Sequence, residues 1–83
     1  MKGYENDVKK LKSMGFSDEL IALAFTALPV LSTIPNSDLL KNLTNFCTNF
    51  NQMKGMGFSQ ATIVGSLIKH RNDLERSISE CVD

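Results

Sequence analysis

Residues 38–59 read DLLKNLTNFCTNFNQMKGMGFS, and the fold turns on how far one helix runs through them. Leu39, Leu43, Phe46, Phe50 and Met53 recur at spacings of 4, 3, 4 and 3, which places them on one helical face. Leu40 and Cys47 add an adjacent line. Neither proline nor glycine interrupts the pattern before Gly55. The spacing predicts one helix over 38–54, begun by a cap at Asn36 or Ser37 and about 25 Å long at 1.5 Å per residue. A globule of 83 residues has a radius of gyration of about 12 Å, so this helix would span the molecule.

The close of that stretch occurs twice. Residues 12–17 read KSMGFS and residues 54–59 read KGMGFS, an offset of 42. At the same offset Val8 meets Phe50, Leu11 meets Met53 and Ile21 meets Ile63. Self-similarity at a fixed period marks repeated supersecondary units. In the first copy Tyr4, Val8 and Leu11 form one face of a helix, and Glu5 stands four residues before Lys9 in the favourable order. Gly15 is placed to end that helix, because glycine reaches left-handed dihedrals cheaply. Ser17 is the expected N-cap of the next, with Asp18 and Glu19 in its first turn where the helix dipole favours them. Leu20, Ile21, Ala24, Phe25 and Leu28 supply its apolar face, and Pro29 is expected to stop it at Leu28.

The second copy follows suit. Ser59 caps a helix bearing Ala61, Ile63, Val64, Leu67 and Ile68. Gly65 inside it costs up to ~1 kcal/mol against alanine, and close approach of a neighbouring helix is the expected reason for it. Asn72 and Glu75 form a capping-box pattern before Leu74, Ile78 and Cys81, which are spaced for a last helix. The expectation is an all-α chain of five helices, at 5–14, 18–28, 38–54, 60–70 and 73–82. Two three-helix units, 4–54 and 38–83, fit only by sharing the helix at 38–54, with no linker between them.

Composition excludes several roles. Nine basic and nine acidic residues leave no net charge, which argues against general nucleic-acid binding. The apolar fraction of 42% is too high for a disordered chain. Ser, Thr, Asn and two prolines break the uncharged stretch at 20–37, so no membrane span is expected. The first residues are polar, and Gly3 does not follow Met1 directly, so neither a secretion signal nor a myristoylation pattern is read. Cys47 and Cys81 lie in apolar periodic stretches and are expected as buried free thiols of a cytoplasmic protein. A single His70 and two distant cysteines give no zinc spacing. No phosphate-binding glycine loop and no oriented nucleophile pair are present, so neither a cofactor nor catalysis is expected. Lys9, Lys10 and Lys12 read as a solvated helix face.

A helix ending in Met-Gly-Phe, a Ser cap, a second helix and an Asn-led third helix resembles the ubiquitin-associated (UBA) domain family. The likeness covers residues 50–82 best, closing on NDLERSISECV at 72–82, and in the first half it covers 8–25. The connection at 29–35 departs from the short loop of the family. Overlapping units that share a helix are similar to the solenoid of overlapping UBAs in the ubiquitin-associated subunit of ESCRT-I. The resemblance implies a ubiquitin-binding adaptor without catalysis, open to bivalent binding, that takes the apolar patch of ubiquitin or polyubiquitin on cargo for endosomal sorting. It further implies an endosome-associated cytoplasmic location and other ESCRT subunits as partners. Carried over, one site comprises Met56, Gly57 and Phe58 with Ser79 and Val82. The other comprises Met14, Gly15 and Phe16 with Thr44 and Cys47. Many family members end the third helix on two leucines, where this chain has Cys81 and Val82.

The physical reading of these residues is compatible with that use. Glycine lets a loop backbone approach a partner closely, and methionine makes an adaptable apolar contact. Asp73, Glu75, Glu80 and Asp83 against Arg76 alone would give the last helix an acidic rim, complementary to the basic surround of ubiquitin's patch. The competing reading is a helical scaffold, with Phe16 and Phe58 plugging the core, the methionines filling gaps and the acids merely solvated. Its UBA-like repeats would then bind a partner other than ubiquitin, through an exposed helix face, or brace a larger parent.

Overall fold

The structure, a computed structural model, describes residues 4–35 and 38–82. Among them are six α-helices and no strand: α1 (Glu5–Ser13), α2 (Asp18–Thr26), α3 (Leu28–Leu31), α4 (Leu39–Gly55), α5 (Gln60–Lys69) and α6 (Leu74–Val82). The all-α expectation holds, and the long helix is continuous over 17 residues. Its cap is Asp38, whose Oδ1 accepts from the Lys41 backbone N–H at 2.7 Å. The expected cap at Asn36 or Ser37 lies outside the described residues, as do residues 1–3 and Asp83.

The sixth helix corrects the expected count of five. Pro29 does not close α2; it opens α3. The chain leaves α2 at Thr26 and turns at Ala27, whose carbonyl accepts from Val30 N at 3.0 Å and Leu31 N at 2.9 Å. Proline sits in the first turn of α3. There its missing N–H has no intrahelical partner to lose and its fixed φ suits the helix. The extra turn inserts Leu31, 1% exposed, into the core.

One apolar cluster runs through the molecule. Asn42, Leu43, Phe46, Cys47, Phe50 and Met53 line the buried side of α4. Leu11 of α1, Leu20, Ile21 and Ala24 of α2, Ala27 at the corner, Leu31 of α3, and Ile63 and Leu67 of α5 complete the cluster. α4 packs against α2 and α3 and also against α5, while α6 packs on α5. Tyr4 closes the far end edge-to-face on Phe25, with ring centroids 5.5 Å apart. The molecule measures 38 × 26 × 16 Å with a radius of gyration of 12.1 Å.

Three asparagines, Asn42 buried and Asn49 and Asn72 half-buried, tie the elements together. Asn42 Nδ2 donates to the Leu31 carbonyl of α3 at 2.9 Å. Asn72 Nδ2 donates to the Asn42 carbonyl at 3.4 Å. Asn49 Nδ2 donates to the carbonyl and the Oδ1 of Asn72, at 3.2 and 3.0 Å. This changes the reading of Asn72. It does not cap α6 but closes α5, in left-handed geometry at φ 66° after Arg71 at φ 51°. Asp73 caps α6 instead, accepting from Arg76 N at 3.1 Å. Gly65 is likewise corrected: a Cβ there would meet nothing within 4 Å, so no neighbouring helix requires it.

Candidate functional site

The repeated hexapeptide folds the same way twice. Met14 and Met56 are the C-caps of α1 and α4, at φ −81° and −83°. Gly15 and Gly57 follow in left-handed geometry, φ +95° and +97°. Gly15 N donates to the Lys12 carbonyl at 2.9 Å and Phe16 N to the Leu11 carbonyl at 3.3 Å. Gly57 N donates to the Lys54 carbonyl at 3.0 Å and Phe58 N to the Met53 carbonyl at 3.4 Å. Both turns are therefore Schellman motifs, which satisfy the last helix carbonyls and set the following hydrophobe against the helix end. Ser17 and Ser59 then cap α2 and α5, accepting from Leu20 N at 3.2 Å and Thr62 N at 3.4 Å.

These turns sort side chains between core and surface. Phe16 and Phe58 are half-buried against the core cluster. The methionines point outward: Met14 is 51% and Met56 57% exposed. Together with Val82, 67% exposed at the end of α6, they are the exposed large apolar residues among those described. Isolated exposed apolar residues are ordinary. Here all three coincide with positions picked out from the sequence.

The remaining sequence-derived positions divide. Thr44 stands beside the first turn, its Oγ1 donating to the Leu40 carbonyl at 2.8 Å and lying 3.8 Å from Met14 Sδ. Cys47 does not join that surface. It is 0% exposed, four residues after Leu43 on the inner stripe of α4, and burial pushes its thiol up to about 11. The first face is thus Met14, Gly15, Phe16 and Thr44. Ser79 and Val82 are exposed on α6, while Cys81 turns inward, its Sγ 3.3 Å from Ser66 Oγ. Both cysteines are free.

Two of the four acids expected as a rim on α6 are engaged within the molecule, while Glu75 is exposed and Asp83 lies outside the described residues. Asp73 serves as the cap and lies 3.9 Å from Arg76 Nε. Glu80 accepts from Lys69 Nζ and stands 3.2 Å from His70 Nε2. The Lys69 hydrogen bond, assisted by its charge and by His70, holds the Glu80 carboxyl below the ordinary glutamate range. His70 is the C-cap of α5, a helix-end role.

Between the two turns lies an open groove of about 320 Å³, lined among others by Ser17, Glu19, Leu20, Phe50, Lys54 and Gln60. Sequence reasoning did not single out Glu19, Lys54 or Gln60 as a group. No motif or spacing in the sequence sets these three together; the packing of α2 beside α4 does. Among the described residues, no cluster of three His, Cys, Asp or Glu could hold a metal ion, and no helix is long and apolar enough to cross a membrane. No protein-family model, curated protein or solved structure matches the chain.

Proposed function

We propose that this chain is a ubiquitin-binding adaptor module built from two overlapping UBA-like units that share α4, the first of them with α3 as an added turn, serving recognition of ubiquitinated cargo in endosomal sorting. One observation carries the reading. Each Met-Gly-Phe turn holds an exposed thioether, an open glycine backbone and a half-buried phenylalanine packed against the core, in the same backbone geometry. That arrangement supports docking of a small apolar patch: the phenylalanine fixes the turn, the glycine admits close approach and the methionine adapts to the partner. Val82 and Ser79 extend the second face, and Thr44 the first.

Affinity per face is expected to be low. Each face offers one methionine, part of one phenylalanine ring and at most one further small side chain, far below the area of a standard stable interface. Titration of the ¹⁵N-labelled chain with unlabelled ubiquitin tests the reading. Amide shifts are expected at 14–16 or 56–58. Absence of shifts at millimolar ubiquitin overturns it. Binding that survives Phe16→Ala together with Phe58→Ala also overturns it, and favours docking through an exposed helix face.

A further inference from the structure

Met14, Met53 and Met56 divide sharply by exposure. Met53 is 0% exposed on the inner side of α4. Met14 and Met56 are 51% and 57% exposed, each at the C-cap of a helix. Each is followed by a glycine with open space where a side chain would stand. The thiols are more enclosed. Cys47 is 0% exposed, and burial pushes it up to about 11. Cys81 is half-buried and turns inward, its Sγ 3.3 Å from Ser66 Oγ. The most exposed sulfur among the described residues is therefore thioether sulfur, and both such atoms sit on the two proposed docking faces. The fold does not depend on them. Neither side chain belongs to the core cluster, and the hydrogen bonds that close the two turns are made by backbone groups alone.

We infer that Met14 and Met56 are modification sites, oxidised to sulfoxides by hydrogen peroxide, and that their oxidation releases the apolar partner while the fold persists. The inference rests on the proposed ubiquitin binding and adds its regulation. A lone pair on Sδ attacks one peroxide oxygen, so that the S–O bond forms as the O–O bond breaks. The departing hydroxide takes the proton left on the transferred oxygen and leaves as water. Sulfur loses two electrons, and the peroxide is reduced by two. The product is a polar, chiral side chain in place of a flexible apolar one. Docked against an apolar patch, its oxygen has no hydrogen-bond donor, so binding at each face should weaken about ten-fold. The change is reversible: a dithiol acting through methionine sulfoxide reductases gives up two electrons, becomes a disulfide, and the oxygen leaves as water.

Two measurements test it, the first without a partner. The native chain is treated with graded hydrogen peroxide and its sulfoxides are mapped by mass. Met14 and Met56 should be modified well before Met53, with the folded amide spectrum retained. Modification of Met53 at the same rate, or loss of the folded spectrum as 14 and 56 are oxidised, overturns the inference. The second measurement is titration of the ¹⁵N-labelled chain with ubiquitin, before oxidation and again after the peroxide has been removed. Shifts at 14–16 and 56–58 should need about ten times more ubiquitin after oxidation. Dithiothreitol with the two reductases, one for each sulfoxide epimer, should restore the original curve, and dithiothreitol alone should not. Recovery with dithiothreitol alone assigns the loss to a thiol and sinks the inference, as does binding that oxidation leaves unchanged. Absence of shifts before any peroxide is added overturns the ubiquitin reading instead and, with it, the release of this partner.

Discussion

At Gly57 and Gly65 the same substitution, to alanine, has opposite expected outcomes. Gly57 sits at φ +97° in the turn that ends α4, and a Cβ there is strained whatever the space around it. Gly57→Ala should cost about 1 kcal/mol. Gly65 lies exposed inside α5, where an added Cβ would meet nothing within 4 Å. Gly65→Ala should therefore gain about 0.5–1 kcal/mol of helix propensity. Urea unfolding of both variants checks the pair, and shifts of the same sign would contradict the assigned geometry. The cysteines give a second contrast. Cys47 is fully buried with its thiol pushed up to about 11, so little thiolate forms and none of it is reachable. Cys81 is half-buried near the end of α6. Iodoacetamide labelling of the native protein, mapped by mass, should modify Cys81 well before Cys47, whose labelling should follow unfolding. Rapid native labelling of Cys47 would place it at the surface, and would restore it to the first face.

At the scale of elements, the junction of α5 and α6 is held in part by charge, and its pH dependence follows in sign. Glu80 has its carboxyl lowered first by the Lys69 hydrogen bond and then by charge and by His70. A depressed acid contributes stability above its unfolded value, ordinarily about 4.3. That contribution is lost as pH falls through the lowered folded value. The advantage of the wild type over Glu80→Gln should thus be present near neutrality and absent in strong acid, by thermal unfolding. An advantage that persists in strong acid would show that the ion pairs are not its source. The same elements show what a sequence does and does not disclose. The length of α4 was legible because its apolar residues keep one stripe with no breaker before Gly55. The two turns were legible because a glycine followed by a phenylalanine closes a periodic run. The α2–α3 corner was not, since proline marks the residue after a helix and the first turn of one alike. Asn72 was misplaced for a similar reason: asparagine suits both an N-cap and a left-handed position, and only the hydrogen bonds to Asn49 and Asn42 decide between them. At the site, exposure of Met14 and Met56 was open from sequence, because methionine serves equally as core filler and contact. The inward turn of Cys47 follows from its place four residues after Leu43.

For the whole molecule, the shared helix bears on cooperativity. An 83-residue domain commands a total stability of about 4–12 kcal/mol, and neither the stretch from α1 to α4 nor that from α4 to α6 alone has enough chain to be comfortable on that scale. α4 is in contact with α2 and α3 and also with α5, and the buried residues of all of them form one cluster. The asparagine bonds add a polar connection from Leu31 of α3 through Asn42 to Asn72. Unfolding either end would strip α4 of its packing on α2 and α3 or on α5 and expose apolar surface, so the two ends should unfold together. Leu11→Ala provides the test at a distance. Leu11 is 0% exposed on α1, whose main packing partner is α2 rather than α5 or α6. Its truncation should cost about 2–5 kcal/mol. In residue-resolved urea unfolding by NMR, amides of α5 and α6 should lose their native signals at the same lowered midpoint as those of α1 and α2. If the α5 and α6 midpoint stays at the wild-type value while that of α1 and α2 falls, the halves are independent and α4 joins them in space only. Ile63→Ala, 0% exposed on α5, is the reciprocal experiment, and one merged core requires that it lower the α1 and α2 midpoint by the same amount as that of α5 and α6.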